Sequence, residues 1–150
     1  MREERIEPIQ FFVHGIPKAQ PRPRAFYNKH LGQARVYEAG TAEAWKGAIA
    51  LAAKQYLPSS PLTGPLSVSL MFFMPRPKSH YRTGKHSDEL RPDAPEWHSG
   101  KPDRDNLEKA VLDSLTHIGM WKDDGQVCTG PVDKKYSDKP GALITIEKAP

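Results

Sequence analysis

Two pairs of aspartates hold the chemistry this sequence offers: Asp103 and Asp105, on either side of Arg104, and Asp123 and Asp124, just ahead of Gly125. In an extended segment residues i and i+2 point the same way, so the first pair is able to meet one cation. Past Gly119 the chain turns back through Met120 and Trp121 to deliver the second pair, as a turn leading into a strand from Gln126. Four carboxylates converging on one point form the oxygen-rich ligand set that Mg²⁺ accepts, and phosphodiester hydrolysis is a reaction such an ion serves.

The stretch between the pairs is expected to be a helix. Asp105, Asn106, Leu107 and Glu108 resemble a capping box at its start, and Gly119 is a natural stop at its end. Leu107, Ala110, Val111, Ser114, Leu115 and Ile118 fall on one face at helical spacing. Asp105, Lys109 and Asp113 recur every four residues on the other face, which places the Lys109 ammonium one turn beyond the proposed cation, beside the carboxylates. Taken singly, each acid has an ordinary role: Asp105 as N-cap, Asp103 as a solvated loop residue, Asp113 as a partner of Lys109, and Asp123-Asp124-Gly125 as a turn. Their joint spacing is what points to a site.

Residues Asp103 to Leu115 and Trp121 to Val127 resemble, in type, spacing and order, the signature of the RusA-type Holliday junction resolvases, D-x-D-N-L-x-K-x-x-x-D-x-L followed by W-x-D-D-x-Q-V. The resemblance implies a small homodimeric, Mg²⁺-dependent endonuclease that cuts four-way junction DNA by paired nicks. It implies metal ligands at Asp103, Asp105 and Asp124 and an active-site lysine at Lys109; Asp123 and Asp113 also occupy motif positions, and on its chemistry Asp123 reads as an auxiliary carboxylate to one or two Mg²⁺ ions. Many members of that family carry a basic G-x-P-x-x-x-x-R-x-R segment after the first strand, which matches Gly15 to Arg24 and implies DNA contact for Arg22 and Arg24.

A chain of 150 residues is expected to make one domain. Lys and Arg number 22 against 18 Asp and Glu, and with several acids gathered at the proposed site the remaining surface is more basic than the net +4 suggests, as a polyanion partner requires. Cys128 is the only cysteine, which excludes an internal disulfide and a cysteine-based zinc site and agrees with a reducing cytosol. The N-terminus has no apolar h-region, and no run approaches the roughly 18 apolar residues of a membrane span, so the expectation is a cytoplasmic protein with no membrane association.

Around the site, Ile6 to Val13 reads as a strand that Pro8 makes an edge or a late starter. Lys18 to Arg24 reads as a proline-stiffened extended arm, and Tyr27 to Tyr37 as polar loop with a short hairpin around Gly32. A helix over Thr41 to Tyr56 uses Trp45, Ala48, Ile49, Ala52 and Tyr56 on one face, and Leu66 to Met74 alternates as a strand. Residues 75–100 lack any period and carry Arg76, Lys78, Arg82, Lys85 and Arg91. They read as a long DNA-contacting flap leading to Lys101, with Arg76, Lys78 and Lys101 as phosphate contacts. His80, His86 and His98 have no compact ligand spacing, although His98 lies near enough in sequence to approach Asp103. Two final strands, Gln126 to Tyr136 and Ala142 to Lys148, flank a turn-rich link, and Lys134 and Lys135 read as solvated residues brought near the acidic turn through a hairpin.

The whole is an α+β domain, a mixed or antiparallel sheet with two helices on one face and a long basic loop before the catalytic helix. A non-catalytic DNA-binding protein using the same arm and loop would leave four phosphate-repelling carboxylates without a purpose. A DxD-type sugar transferase would need a larger nucleotide-binding domain and a glycine-rich strand-to-helix turn, which this chain lacks.

Overall fold

β4, Leu66–Met74, buries every second side chain, from Leu66 through Val68, Leu70 and Phe72 to Met74, so one of its faces is core along its full length. This alternation is what a half-buried strand dictates. The computed structural model describes residues 7–21, 23–28, 33–38 and 42–150, with backbone alone for 23–28 and 33–38.

β4 is central in a five-stranded mixed sheet. On one side it pairs antiparallel with β7, Gly141–Lys148, which pairs antiparallel with the edge strand β1, Ile9–His14. β1 starts just past Pro8, as a residue without a ladder donor requires. On its other side β4 pairs in parallel with β5, Val127–Thr129, and with β6, Val132–Tyr136. Ser67 faces Thr129 and Leu70 faces Val132 at the same offset, while Leu66 faces Val127 one residue out of step. β5 and β6 are therefore one edge strand, bulged at Cys128 and interrupted at Gly130 and Pro131.

β6 and β7, read from sequence as two strands flanking a turn-rich link with no order assigned, lie on opposite sides of β4. The link between them crosses the end of β4, where the Ser137 N–H donates to the Met74 carbonyl. The physical reason is composition. β7 buries Ala142, Ile144 and Ile146 and belongs inside the sheet, whereas Val-Asp-Lys-Lys-Tyr of β6 suits an edge.

Helix α1, Glu43–Lys54, buries Trp45, Ile49 and Ala53, and helix α2, Arg104–His117, buries Leu107, Ala110, Val111, Ser114 and Leu115. Both join the inward side chains of β1, β4 and β7 in a single core, so the two helices cover one face of the sheet as expected. Among the described residues no helix is long and apolar enough to cross a membrane.

Two segments differ from the sequence reading. Pro23–Asn28, β2, pairs antiparallel with Gln33–Glu38, β3, in a separate two-stranded sheet, so the extended arm becomes a hairpin strand from Pro23 onward. Proline is accepted there because it is the first residue of the strand. The turn around Gly32 and Arg22 lie outside the described residues.

Residues 75–100, in turn, form a folded strap rather than an open flap. It has short 3₁₀ turns at Lys78–His80 and Gly84–His86 and a bridge between Tyr81 and Leu90. Glu96 to His98 then line the outer side of β6: the Tyr136 N–H donates to the Glu96 carbonyl and the His98 N–H to the Lys134 carbonyl. An edge strand leaves a row of backbone groups unpaired, and the strap answers part of that demand.

Gly130 tests this edge. Its φ is +125°, and a Cβ there would collide with the Val68 backbone. Gly130→Ala is expected to destabilise the protein by about 3 kcal/mol or more, from backbone strain and the clash together. A urea midpoint unchanged from the parent would show that the interruption is not held in this conformation.

Candidate functional site

The helix that carries the first carboxylates begins two residues earlier than the sequence suggests. Asp103 is its N-cap, in extended conformation with φ −72° and ψ 149°, and Asp105 lies in the first turn. The capping box read at Asp105 is therefore not formed, and the pair straddles a helix start rather than an extended segment.

The entry is fixed from β6. Lys134 Nζ donates to the carbonyls of Gly100, at 2.6 Å, and Pro102, at 2.7 Å, while Arg104 Nη1 donates to the Val132 carbonyl. The peptide between Lys101 and Pro102 is cis. Burial holds the Lys134 ammonium below the usual lysine range; Asp103 draws it back up, and Lys101 and Arg104 push it further down.

Asp103 makes no side-chain capping bond to the helix it starts. Its Oδ2 accepts from Lys101 Nζ at 2.8 Å, with the two side chains 47% and 84% exposed. An ion pair so open to water contributes about 1 kcal/mol or less, and a divalent cation readily displaces it. The N-terminal end of α2 adds its partial positive charge at the same place. Lys109 is exposed one turn further along, and no ion pair joins it to any described residue.

The arm reaches this point as well. The Gln20 N–H donates to the Asn106 carbonyl, which pins the chain ahead of Pro21 to the first turn of α2. Gln20 Oε1 and Asn106 Oδ1 are both buried there without a hydrogen-bond partner. Arg24 enters β2 opposite Tyr37.

The second pair is held at the other end of α2. There Gly119, with φ +88°, closes the helix: the Met120 N–H donates to the Leu115 carbonyl and the Gly119 N–H to the Thr116 carbonyl. Trp121 is buried, its Nε1 donating to Thr116 Oγ1 at 2.7 Å, and the turn at Asp124–Gln126 follows, packed against α2. Asp123 caps that turn, its Oδ1 accepting from the Gly125 N–H at 2.8 Å. The Gln126 side chain completes the box. Its Oε1 accepts from the Lys122 and Asp123 N–H groups, and its Nε2 donates to the carbonyls of Leu62 and Gly64. Asp124 stands exposed beside this clasp.

The structure thus brings Asp103 and Asp105 to one turn, and Asp123 and Asp124 to another. Among the described residues no three or more His, Cys, Asp or Glu side chains are gathered as a metal cage needs. In kind, the donors fit a hard cation, since carboxylate and amide oxygens are what Mg²⁺ and Ca²⁺ take.

Other residues have different partners from those expected. Asp113 pairs with Lys46 of α1, not with Lys109, and Ser114 Oγ donates to the Lys46 carbonyl beside it, so this end of the acidic face ties the helices together. Arg76 donates to the Pro95 carbonyl at 2.8 Å and lies over the Tyr136 ring, which makes it a brace of the strap. Lys78 is exposed on the strap. His98 packs edge-on against the Tyr136 ring, and burial, with Lys134 nearby, lowers its pKa. Lys134 is a residue the sequence concealed, because an alternating polar strand carries no sign of which lysine turns inward. Gln126 had a sign, as the fourth residue of Asp-x-x-Gln.

The model of one known family, endodeoxyribonuclease RusA, matches residues 14–147. The chain is also similar to "Uncharacterized protein YqaN" of Bacillus subtilis (strain 168), with 34% identity over 145 residues, covering 93% of this chain and 96% of that protein.

Lys134→Met keeps the aliphatic stem and removes both bonds to the helix entry. It is expected to cost about 1 kcal/mol, the typical net contribution of a hydrogen bond whose acceptor water can partly reach. Amide exchange should quicken at Leu107, whose N–H donates to the Asp103 carbonyl. Unchanged protection there would mean that the lysine does not hold the entry.

Proposed function

The chain belongs to the RusA endodeoxyribonuclease family, and from that membership we propose that it is a structure-selective, Mg²⁺-dependent endonuclease that resolves four-way DNA junctions by paired symmetric nicks. The observation that carries this reading is the start of α2. An N-cap aspartate that does no capping, covered by an exposed lysine, sits at a helix N-terminus from which a basic arm departs.

Asp103 and Asp105 from the start of α2, and Asp124 from the turn past its other end, would hold one or two ions, and Asp123 supports Asp124 by shaping the turn that presents it. The chemistry such an ion supplies is neutralisation of phosphate charge and activation of water. Lys109 contributes a fixed positive charge where the phosphate gains negative charge in the transition state. Lys101 balances Asp103 between turnovers and turns to a phosphate when the carboxylate is taken. Arg22 and Arg24 would contact phosphates, as would Lys78 on the strap; such contacts position DNA without reading its sequence. Arg76, fixed within the strap, adds to the field there.

Cleavage of labelled junctions tests the assignment. Asp103→Asn and Asp124→Asn should each lose Mg²⁺-dependent nicking by several orders of magnitude yet bind junctions in EDTA at least as tightly as the parent, because one phosphate-repelling charge is gone. Lys109→Ala should slow single-turnover cleavage on the order of a hundredfold. Asp123→Asn should lose roughly tenfold to a hundredfold, as expected of a supporting residue. Normal cleavage by Asp103→Asn would remove the centre of the proposal.

Two symmetric nicks need two equivalent sites, so the working species is proposed to be a homodimer. A monomeric sedimentation mass at micromolar concentration, with and without junction DNA, would refute it.

A further inference from the structure

The strap and the end of the sheet enclose a cavity of about 610 Å³ that the carboxylate site does not use. Its walls are aromatic and charged, with two cations and two carboxylates. Phe73 of β4, Tyr136 of β6 and Tyr81 of the strap line it together with Arg76 and Lys135. Lys135 Nζ stands 5.8 Å from the centre of the Phe73 ring, and the Arg76 guanidinium 5.2 Å from that of Tyr136. The strap is held by hydrogen bonds of its own, with the Tyr81 carbonyl accepting from the Arg91 side-chain Nε and the Arg91 backbone N–H donating to the His80 carbonyl.

We propose that this cavity takes an unpaired nucleotide of a single DNA strand, with its base against the Tyr81 and Phe73 rings and its phosphate at Lys135. The inference rests on the reading of the protein as a DNA enzyme and adds a subsite to it.

The chemistry selects the ligand. A volume near 600 Å³ lies within the ~300–1,000 Å³ of small-ligand sites, and a concave pocket cannot receive the convex outside of a duplex. Ring faces beside cations suit a flat group carrying an anion, which an unstacked nucleotide supplies and a paired base does not. Asp88 and Asp138, also on the cavity wall, would repel a simple anion, but they are acceptors for the amino groups of an unpaired base. Trp97 of the strap, bridged to Lys135 and 55% exposed, offers a further ring beside the entrance. Position fits as well. Lys134 reaches the start of α2 and its neighbour Lys135 reaches the cavity, so one strand passing round the sheet edge meets both.

The test measures binding by the full-length protein in EDTA, where nothing is cut, with labelled oligothymidylate of about a dozen nucleotides, a duplex of equal length and thymidine monophosphate as probes. The parent should bind the single strand more tightly than the duplex. Tyr81→Ala and Lys135→Ala should each weaken single-strand binding about tenfold while changing duplex binding less than about twofold, and Tyr81→Phe should keep the parent's affinity. Lys135→Ala alters only a charged side chain at the sheet edge, so it remains decisive if Tyr81→Ala loosens the strap. Parent-like single-strand binding by Lys135→Ala, or equal losses for strand and duplex in both variants, would overturn the proposal. Competition by the monophosphate at oligomer concentrations would overturn it too, by making the ligand a free nucleotide. The nuclease reading fails separately, through a parent that cuts no junction; Tyr81-dependent and Lys135-dependent strand binding would then still stand.

Discussion

Burial of one stripe on α2 sets the geometry on which the rest of the structure depends. Leu107, Ala110, Val111 and Leu115 are wholly buried, and removing any of them from the core would expose apolar surface or leave a cavity. A helix turns about 100° per residue, so fixing this stripe fixes the direction of every other side chain on α2. Asp105, Lys109 and Asp113 face outward for that reason. The helix is held at both ends as well, by Lys134 and Arg104 at its start and by the turn at Gly119 with buried Trp121 at its finish.

The edge strand is the second support. β5 and β6 follow β4 in parallel, and this one line of backbone passes from the Asp124 turn to the lysine that anchors Asp103. The two acidic turns are thereby referred to the same rigid reference, the central strand. The bulge at Cys128 and the interruption at Gly130 and Pro131 adjust the line by one residue. A parallel edge of polar composition also explains the strap, which satisfies part of the outer backbone while enclosing a cavity of its own.

Electrostatics around the helix entry act at short range and are distributed among partners. Asp103 is balanced by exposed Lys101, while Lys134 is drawn inward by two carbonyls and feels Asp103 at the cost of desolvation. The outermost pair is loose and the inner lysine is fixed, which suits a site that exchanges one cation for another without losing its frame.

Periodicity alone determined the helices, the central strand and the inward stripe of α2, because spacings of 3.6 and 2 residues follow from local backbone geometry. Local chemistry also marked Gly119 as the helix end and Asp123-Asp124-Gly125 as a turn. Only the tertiary structure decided that Asp103 rather than Asp105 is the N-cap, since the carbonyls that fix the helix entry are held by Lys134, far along the chain. It likewise decided that Asp113 belongs to Lys46, that β6 and β7 part around β4, and that residues 75–100 pack along β6. Each of these depends on which distant segments meet, and that is set by the burial and backbone pairing of the whole chain, which no local pattern encodes.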